Sequence, residues 1–170
     1  MFYFLYVLVF VVLLTAGYAG LKGAPWVPTR KRDVERFLSI ADIQPGTVMV
    51  DLGCGDGRLV VAAAQVGAIA RGYEISIFPY ILARLRVHFS VPKVRATILF
   101  RDLWKVDLRD VDFVYFFLMP SKIAALKEKF ERELKPGARV ISYVWPIKGW
   151  TPERALIEPG LTNLYIYRNR

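Results

Sequence analysis

Histidine and cysteine are almost missing from this chain: there is one of each in 170 residues. A single Cys excludes a disulfide framework and any Cys-rich zinc site, and a single His excludes multi-His metal chemistry. No acidic excess is present either. Lys and Arg number 24 against 15 Asp and Glu, a formal net charge of +9. The first 21 residues hold no charge at all, and the first charged side chain is Lys22. What is there in quantity is apolar: 55% of residues are hydrophobic and 14% aromatic, which excludes a disordered basic tail. The length fits one ordinary domain.

The apolar excess is concentrated at one end. Eighteen of residues 1–21 are apolar, and no polar residues alternate among them as they would along a half-buried core helix. Twenty helical residues cover about 30 Å, the thickness of a bilayer core. A cleaved signal peptide competes, with Gly17 and Ala19 as small residues before a cut. However, no positive charge precedes the run, and the run exceeds the usual length. An uncleaved transmembrane anchor is therefore expected over 1–21. Lys22, Arg30, Lys31 and Arg32 follow it, which predicts a single pass with the C-terminal side cytoplasmic.

Beyond the anchor, Pro and Gly in residues 22–29 mark a connector, and Thr29 is a fair N-cap for a helix over 30–41. The remainder, 42–170, alternates strands and helices. Strands are expected at 47–52, 69–74, 94–100, 112–118 and 138–144, with helices at 58–65, 77–89 and 121–135. Two more strands, near 154–158 and 161–168, join through Pro159-Gly160. This order predicts right-handed crossovers, a parallel sheet covered on both faces and one antiparallel strand from the hairpin.

The glycine loop Gly53-Cys54-Gly55-Asp56-Gly57 stands between a strand and a helix. Its spacing is not the dinucleotide fingerprint, and no Gly-Lys-Ser/Thr follows for a P-loop. Asp51 and Asp56 would repel a pyrophosphate. S-adenosylmethionine has the opposite requirement, because it carries a sulfonium and an ammonium and no phosphate. Glu74, at the end of the second strand, can accept from ribose hydroxyls. Asp102 can accept from an adenine amino group, with Leu103 against the ring. Cys54 reads as a small filler and His88 as exposed.

Val50–Arg58, Gly72-Tyr73-Glu74, Asp102-Leu103 and residues 134–140 resemble the motifs of class I, seven-stranded S-adenosylmethionine-dependent methyltransferases. The resemblance implies a Rossmann-like doubly wound α/β fold with strand order 3-2-1-4-5-7-6 and an antiparallel last strand. The anchor, Pro25-Trp26-Val27-Pro28-Thr29, Asp102-Leu103-Trp104-Lys105-Val106 and Trp150-Thr151-Pro152 are similar to a small family of membrane-anchored protein lysine methyltransferases. Its mitochondrial members modify the ATP synthase c subunit and the adenine nucleotide translocase. The resemblance implies a membrane-associated protein substrate bearing a lysine, and S-adenosylhomocysteine as product. It also implies that Thr29 reaches the cofactor as the connector folds over the site. The cofactor residues expected are thus Thr29, Asp51, Gly53, Gly55, Asp56, Gly57, Glu74, Asp102 and Leu103, with no metal.

Phe117-Leu118-Met119-Pro120-Ser121 lacks the Asn/Asp-Pro-Pro-Tyr pattern that binds planar amide or exocyclic nitrogens, which disfavours base or glutamine acceptors. A lysine amine needs alignment, desolvation and aromatic walls. Trp104, Met119, Pro120, Tyr143, Trp145 and Trp150 are the acceptor-side candidates, and no general base is evident. Three rivals stand beside this reading. One is an RNA methyltransferase using Arg84, Arg86, Lys93, Arg95 and Arg101, although nucleic acid is the disfavoured partner of an anchored enzyme. The second is a methyltransferase for a lipophilic small molecule, and the third is a non-catalytic membrane scaffold.

Overall fold

A computed structural model describes residues 2–90 and 95–170. The first helix, α1 (Phe2–Lys22), carries no charge before its last residue, Lys22, and its side chains are almost all exposed; only Ala19 is buried. By length and composition it could cross a membrane. Helix α2 (Lys31–Ala41) buries Val34, Phe37, Ile40 and Ala41 along one face. Its N-cap is Arg30 rather than the expected Thr29, and no side chain caps it. Asp42 ends it in the left-handed conformation at φ 45°.

The sheet runs β1 (Val48–Leu52), β2 (Ile69–Glu74), β3 (Ala96–Phe100), β4 (Phe113–Phe116), β5 (Arg139–Tyr143), β6 (Arg154–Leu156) and β7 (Leu164–Arg168). Its spatial order is 3-2-1-4-5-7-6, with β7 antiparallel to both neighbours, as the sequence reading expected. Val94, the expected start of β3, and Lys93 lie outside the described residues. Helices α3 (Arg58–Gln65), α4 (Ile77–His88) and α5 (Pro120–Glu133) make the crossovers. Pro120 occupies the first turn of α5, where its missing N–H costs nothing, so the helix begins one residue before the expected Ser121. A 3₁₀ turn at Leu103–Lys105, unforeseen from the sequence, is capped by the Asp102 carboxylate, which accepts from Trp104 N–H at 3.0 Å.

Strand residues alternate between two cores because successive side chains point to opposite faces. Met49, Phe113 and Tyr115 pack with Phe37 of α2 and Leu59, Val60 and Ala63 of α3. Val50, Leu52, Val114 and Phe116 pack with Ile123, Leu126 and Phe130 of α5. Each fully buried Leu126 or Phe130 contributes about 1.5–3 kcal/mol. Asp33, buried in α2, ties that helix to the sheet by accepting from the Tyr143 hydroxyl at 2.8 Å.

The order of strands reverses between β1 and β4. In open α/β sheets a ligand crevice forms beyond the strand carboxyl ends at such a switch point. The loop after β1 is the glycine loop, and the segment after β4 is Phe117-Leu118.

Candidate active site at the β1 and β4 switch point

A cavity of about 280 Å³ opens at this point, close to the lower end of small-molecule sites. The strands form its floor: Asp51, Glu74 and Tyr115 line it, with Gly53, Cys54 and Gly55 from the loop and Arg101, Asp102 and Leu103 from the β3 end. Phe117 and Leu118 close the β4 side. Its roof is the amino-terminal segment, Lys22 to Thr29, together with Val12, Ala16 and Ala19 of α1.

The loop can lie this close because its glycines adopt positive φ: 89° at Gly53 and 55° at Gly55. Gly53 and Cys54 N–H groups both donate to Tyr73 O, at 2.9 and 3.0 Å, which holds the loop against the β2 end. A Cβ on Gly55 would sit 2.6 Å from Trp26 Nε1, so this glycine is the seat of the indole. Trp26 in turn meets Phe78 edge-on, with ring centroids 5.8 Å apart. The roof is pinned further back where Trp104 Nε1 donates to Lys22 O at 2.9 Å and Met119 N–H donates to Gly23 O at 3.2 Å.

The acids divide into two kinds. The Asp56 carboxylate is neutralised: Arg58 donates to it from Nε at 2.9 Å and from Nη2 at 2.6 Å, and Arg86 Nη2 donates at 2.7 Å. Burial pushes its pKa up, but the Arg58 hydrogen bond and the Arg86 and Arg58 charges outweigh that and hold it below the ordinary value. Asp56 therefore serves to fasten α3 and α4 under the loop. Among the described residues Asp51 and Glu74 have no such cation. The Glu74 carboxylate accepts from three backbone amides, Gly55 at 2.9 Å, Ile75 at 2.8 Å and Ser76 at 2.7 Å. Burial still raises its pKa against those bonds. Among the described residues no hydrogen bond reaches the Asp51 carboxylate, which is 3% exposed. Burial, then the Glu74 and Asp56 charges, raise its pKa well above the ordinary value.

One further polar group is left over. Tyr115 is paired with Asp51 in the β1 and β4 register and is buried, and its hydroxyl has no hydrogen-bond partner of normal geometry. Burial and the Asp51 charge raise its pKa well above 10, opposed only weakly by the nearby Thr29. Among the described residues the cavity thus presents one carboxylate without a partner, a second held only by backbone amides, and an unsatisfied hydroxyl. Buried groups of this kind are costly unless a ligand completes them.

Of the residues singled out from the sequence, Thr29, Asp51, Gly53, Gly55, Asp56, Glu74, Asp102 and Leu103 all line the cavity. Gly57 does not. A Cβ there would lie 2.9 Å from the Ala83 Cβ, so its role is close packing of α3 on α4. None of Trp104, Met119, Pro120, Tyr143, Trp145 and Trp150 lines the cavity. Tyr143 is buried beside Asp33, and Trp150 packs on Phe130 and Tyr167 while donating to Glu131 at 2.9 Å. Trp145 and Met119 are exposed. The aromatic side chains that line the cavity are Trp26, Tyr73, Phe78, Tyr115 and Phe117. Tyr115 left a signal in the sequence, a lone hydroxyl inside Phe-Val-Tyr-Phe at the centre of a buried strand. Trp26, flanked by prolines, left only its place in the connector.

The ANTKMT methyltransferase domain model matches residues 51–154. The chain belongs to this methyltransferase family. It is 40% identical over 146 residues to the adenine nucleotide translocase lysine N-methyltransferase of Mus musculus, covering 84% of this chain and 62% of that protein. The chain thus spans less than two thirds of that relative's length. It is 35% identical over 146 residues to a protein-lysine N-methyltransferase of Saccharolobus islandicus, covering 84% of this chain and 91% of that one. Among solved structures, an RNA methyltransferase from Salinibacter ruber in complex with S-adenosylhomocysteine superposes with a TM-score of 0.79 at 31% identity, covering 84% of this chain and 93% of that chain.

Proposed function

We propose that this protein transfers a methyl group from S-adenosylmethionine to the ε-amine of a lysine in a protein substrate. Its α1 helix anchors it in a membrane, and the substrate is itself membrane-associated. In this reading residues 1–21 are the anchor, 22–41 the connector and helix, and 42–170 the methyltransferase domain. The domain stands on the cytoplasmic or equivalent inner side. The observation that carries the reading is a pair of buried acids with no counter-cation among the described residues, Asp51 and Glu74, in a chain whose relatives are described as lysine methyltransferases.

The residues fit this cofactor. A diphosphate would meet Asp51 and Glu74 with like charge, whereas a cation bearing amino and hydroxyl donors relieves both. The Asp51 carboxylate would accept from the amino acid ammonium. Glu74 has lone pairs to spare for ribose hydroxyls after its three amide bonds. Asp102 and Leu103 flank the base. When bound, the cofactor supplies an electrophilic methyl on a positively charged sulfur. Transfer by in-line displacement then needs alignment and a dry site more than acid–base groups. Phe117 and Leu118 desolvate the incoming amine from the β4 side, and the Trp26 roof excludes water. The Tyr115 hydroxyl stays protonated at neutral pH and offers the site a buried hydroxyl without a partner, beside the Asp51 carboxylate.

A second reading is favoured by one observation. The Salinibacter neighbour is described as an RNA methyltransferase, and Arg84 and Arg95 are available to phosphates. Arg86 is committed to Asp56, and Arg101 lines the cavity. The test is direct: incubate the full protein in its membrane with S-adenosylmethionine carrying a labelled methyl group, then separate protein, RNA and lipid. Label on protein lysine is the expected result. Label confined to RNA or to lipid extract overturns the proposal. Removing residues 1–21 should open the cavity roof and turn a carbonate-resistant membrane protein into one that alkaline carbonate extracts. Carbonate resistance of the truncated protein would refute the anchor.

A further inference from the structure

The anchor does not stand clear of the domain. Residues 2–11 of α1 are exposed, but from Val12 onward the helix lies against the domain. Val12, Ala16 and Ala19 line the cavity, and Ile77 N–H, in the first turn of α4, donates to Thr15 Oγ1 at 3.2 Å. Ser76, the N-cap of α4, makes no side-chain cap of its own, so the anchor supplies one acceptor for that helix end. This contact sets the height of α4 against α1.

At about 1.5 Å per residue, the free stretch 2–11 covers roughly 15 Å, half of a hydrocarbon core of about 30 Å. If α1 crosses the core, the bilayer must rise past Thr15 to the next polar level. That level is visible: Lys22 Nζ lies 5.7 Å from the Tyr18 ring centroid, and the partly exposed Trp26 follows. Tyr, Trp and Lys are the residues that mark the headgroup zone. Thr15, and with it the start of α4, then lies about one helical turn inside that zone.

The surface of α4 suits such a position. Phe78, Ile81, Leu85 and Phe89 form one stripe at helical spacing, 47% to 71% exposed. Phe100 on the edge strand β3 is half exposed beside it and meets Tyr80 edge-on at 5.2 Å. Four large apolar side chains in a row on a domain surface mark an interaction site. Arg84 is exposed on the same helix, where it can reach lipid phosphates.

We infer that the α4 stripe Phe78–Ile81–Leu85–Phe89 is a second membrane-contacting surface, immersed in the same leaflet that holds the C-terminal end of α1. It seats the catalytic domain in the bilayer surface, with its cavity roof at headgroup level. The inference rests on the membrane reading of α1 and deepens it: the reachable lysines are those within a few ångströms of the bilayer plane.

The test uses the full chain in nanodiscs of phosphatidylcholine and phosphatidylglycerol, with a nitroxide attached at Leu85→Cys or at Glu128→Cys. Glu128 is exposed on α5, and the native Cys54 is buried. The label at position 85 should collide with oxygen readily and with a water-soluble nickel chelate about fivefold less than the label at position 128. Equal nickel access at both positions, in protein that co-floats with lipid, overturns the immersion while leaving the anchor intact. Shielding from both reagents with spin–spin broadening overturns it in favour of a second copy of this chain. Failure of the protein to co-float overturns the anchor and the inference together. A second measurement uses Ile81→Gln with Leu85→Gln, which should lower methylation of a bilayer-embedded substrate by roughly tenfold and leave a soluble lysine peptide within about twofold. Equal loss on both substrates contradicts the inference.

Discussion

Replacing Asp51 with Asn isolates the electrostatic logic of the cavity. The carboxylate is 3% exposed, accepts no hydrogen bond among the described residues, and faces the charges of Glu74 and Asp56. In the free protein its ionisation is therefore unfavourable, and its pKa is raised well above the ordinary 3.8. The sign follows from linkage. A carboxyl whose folded pKa is raised binds its proton more tightly when folded, so stability is greatest below the ordinary value and declines as pH rises through the raised one. Glu74, shifted the same way by burial, adds to this slope. A cationic cofactor reverses the preference, so its affinity should rise with pH over the same window. Removing one partner of a buried, hydrogen-bonded charge pair costs about 2–5 kcal/mol, or about 30-fold to several thousand-fold in Kd. Asp51→Asn should thus bind S-adenosylmethionine at least about 30-fold more weakly, with a shallower pH dependence set by Glu74 alone, while the free protein holds or gains thermal stability. Calorimetric titration of full-length protein in detergent, from about pH 5 to 8, reads the first, and a melting curve reads the second. Affinity within about threefold of wild type and an unchanged pH slope would refute the assignment of Asp51 to the cofactor cation.

Three other substitutions probe the roof and the floor. Gly55→Ala places a Cβ 2.6 Å from Trp26 Nε1 at φ 55°; it should cost about 1–2 kcal/mol of stability and displace the indole, seen as a shift in tryptophan emission with weakened cofactor binding. Thr15→Val removes the acceptor for Ile77 N–H and should lower Tm by about 2–4 °C in detergent, an unchanged melting curve arguing against docking of α1 on α4. Tyr115→Phe deletes a hydroxyl that is buried without a partner, so stability should hold or rise by up to about 1 kcal/mol while methyl transfer falls. Undiminished turnover would leave Tyr115 as packing only.

Local pattern carried most of the fold. β-Branched runs between Ala-rich and amphipathic segments, with Gly and Pro between them, were enough to place nearly every element within a few residues. Thr29 failed as a cap because the connector stays extended to cross the cavity. Arg58 Nη1 donates to Thr29 O at 2.6 Å, which holds the residue there. Asp102 is at once a cofactor candidate and the cap of a 3₁₀ turn, a double use that spacing alone does not reveal.

By itself the sequence determined the apolar helix, the glycine loop and the acids at three strand ends, because each depends on residues adjacent along the chain. Only the tertiary structure decided which of those acids stay bare. Arg86 reaches Asp56 across 30 positions and neutralises it, while Asp51 receives no such partner among the described residues. The structure also decided where the aromatic walls stand. Trp104, Trp145 and Trp150 do not line the cavity, and Trp26 covers the loop because the connector crosses over Gly55. Ion pairs and roof contacts of this kind join residues far apart in sequence, so they exist only after the sheet has set the distances between them.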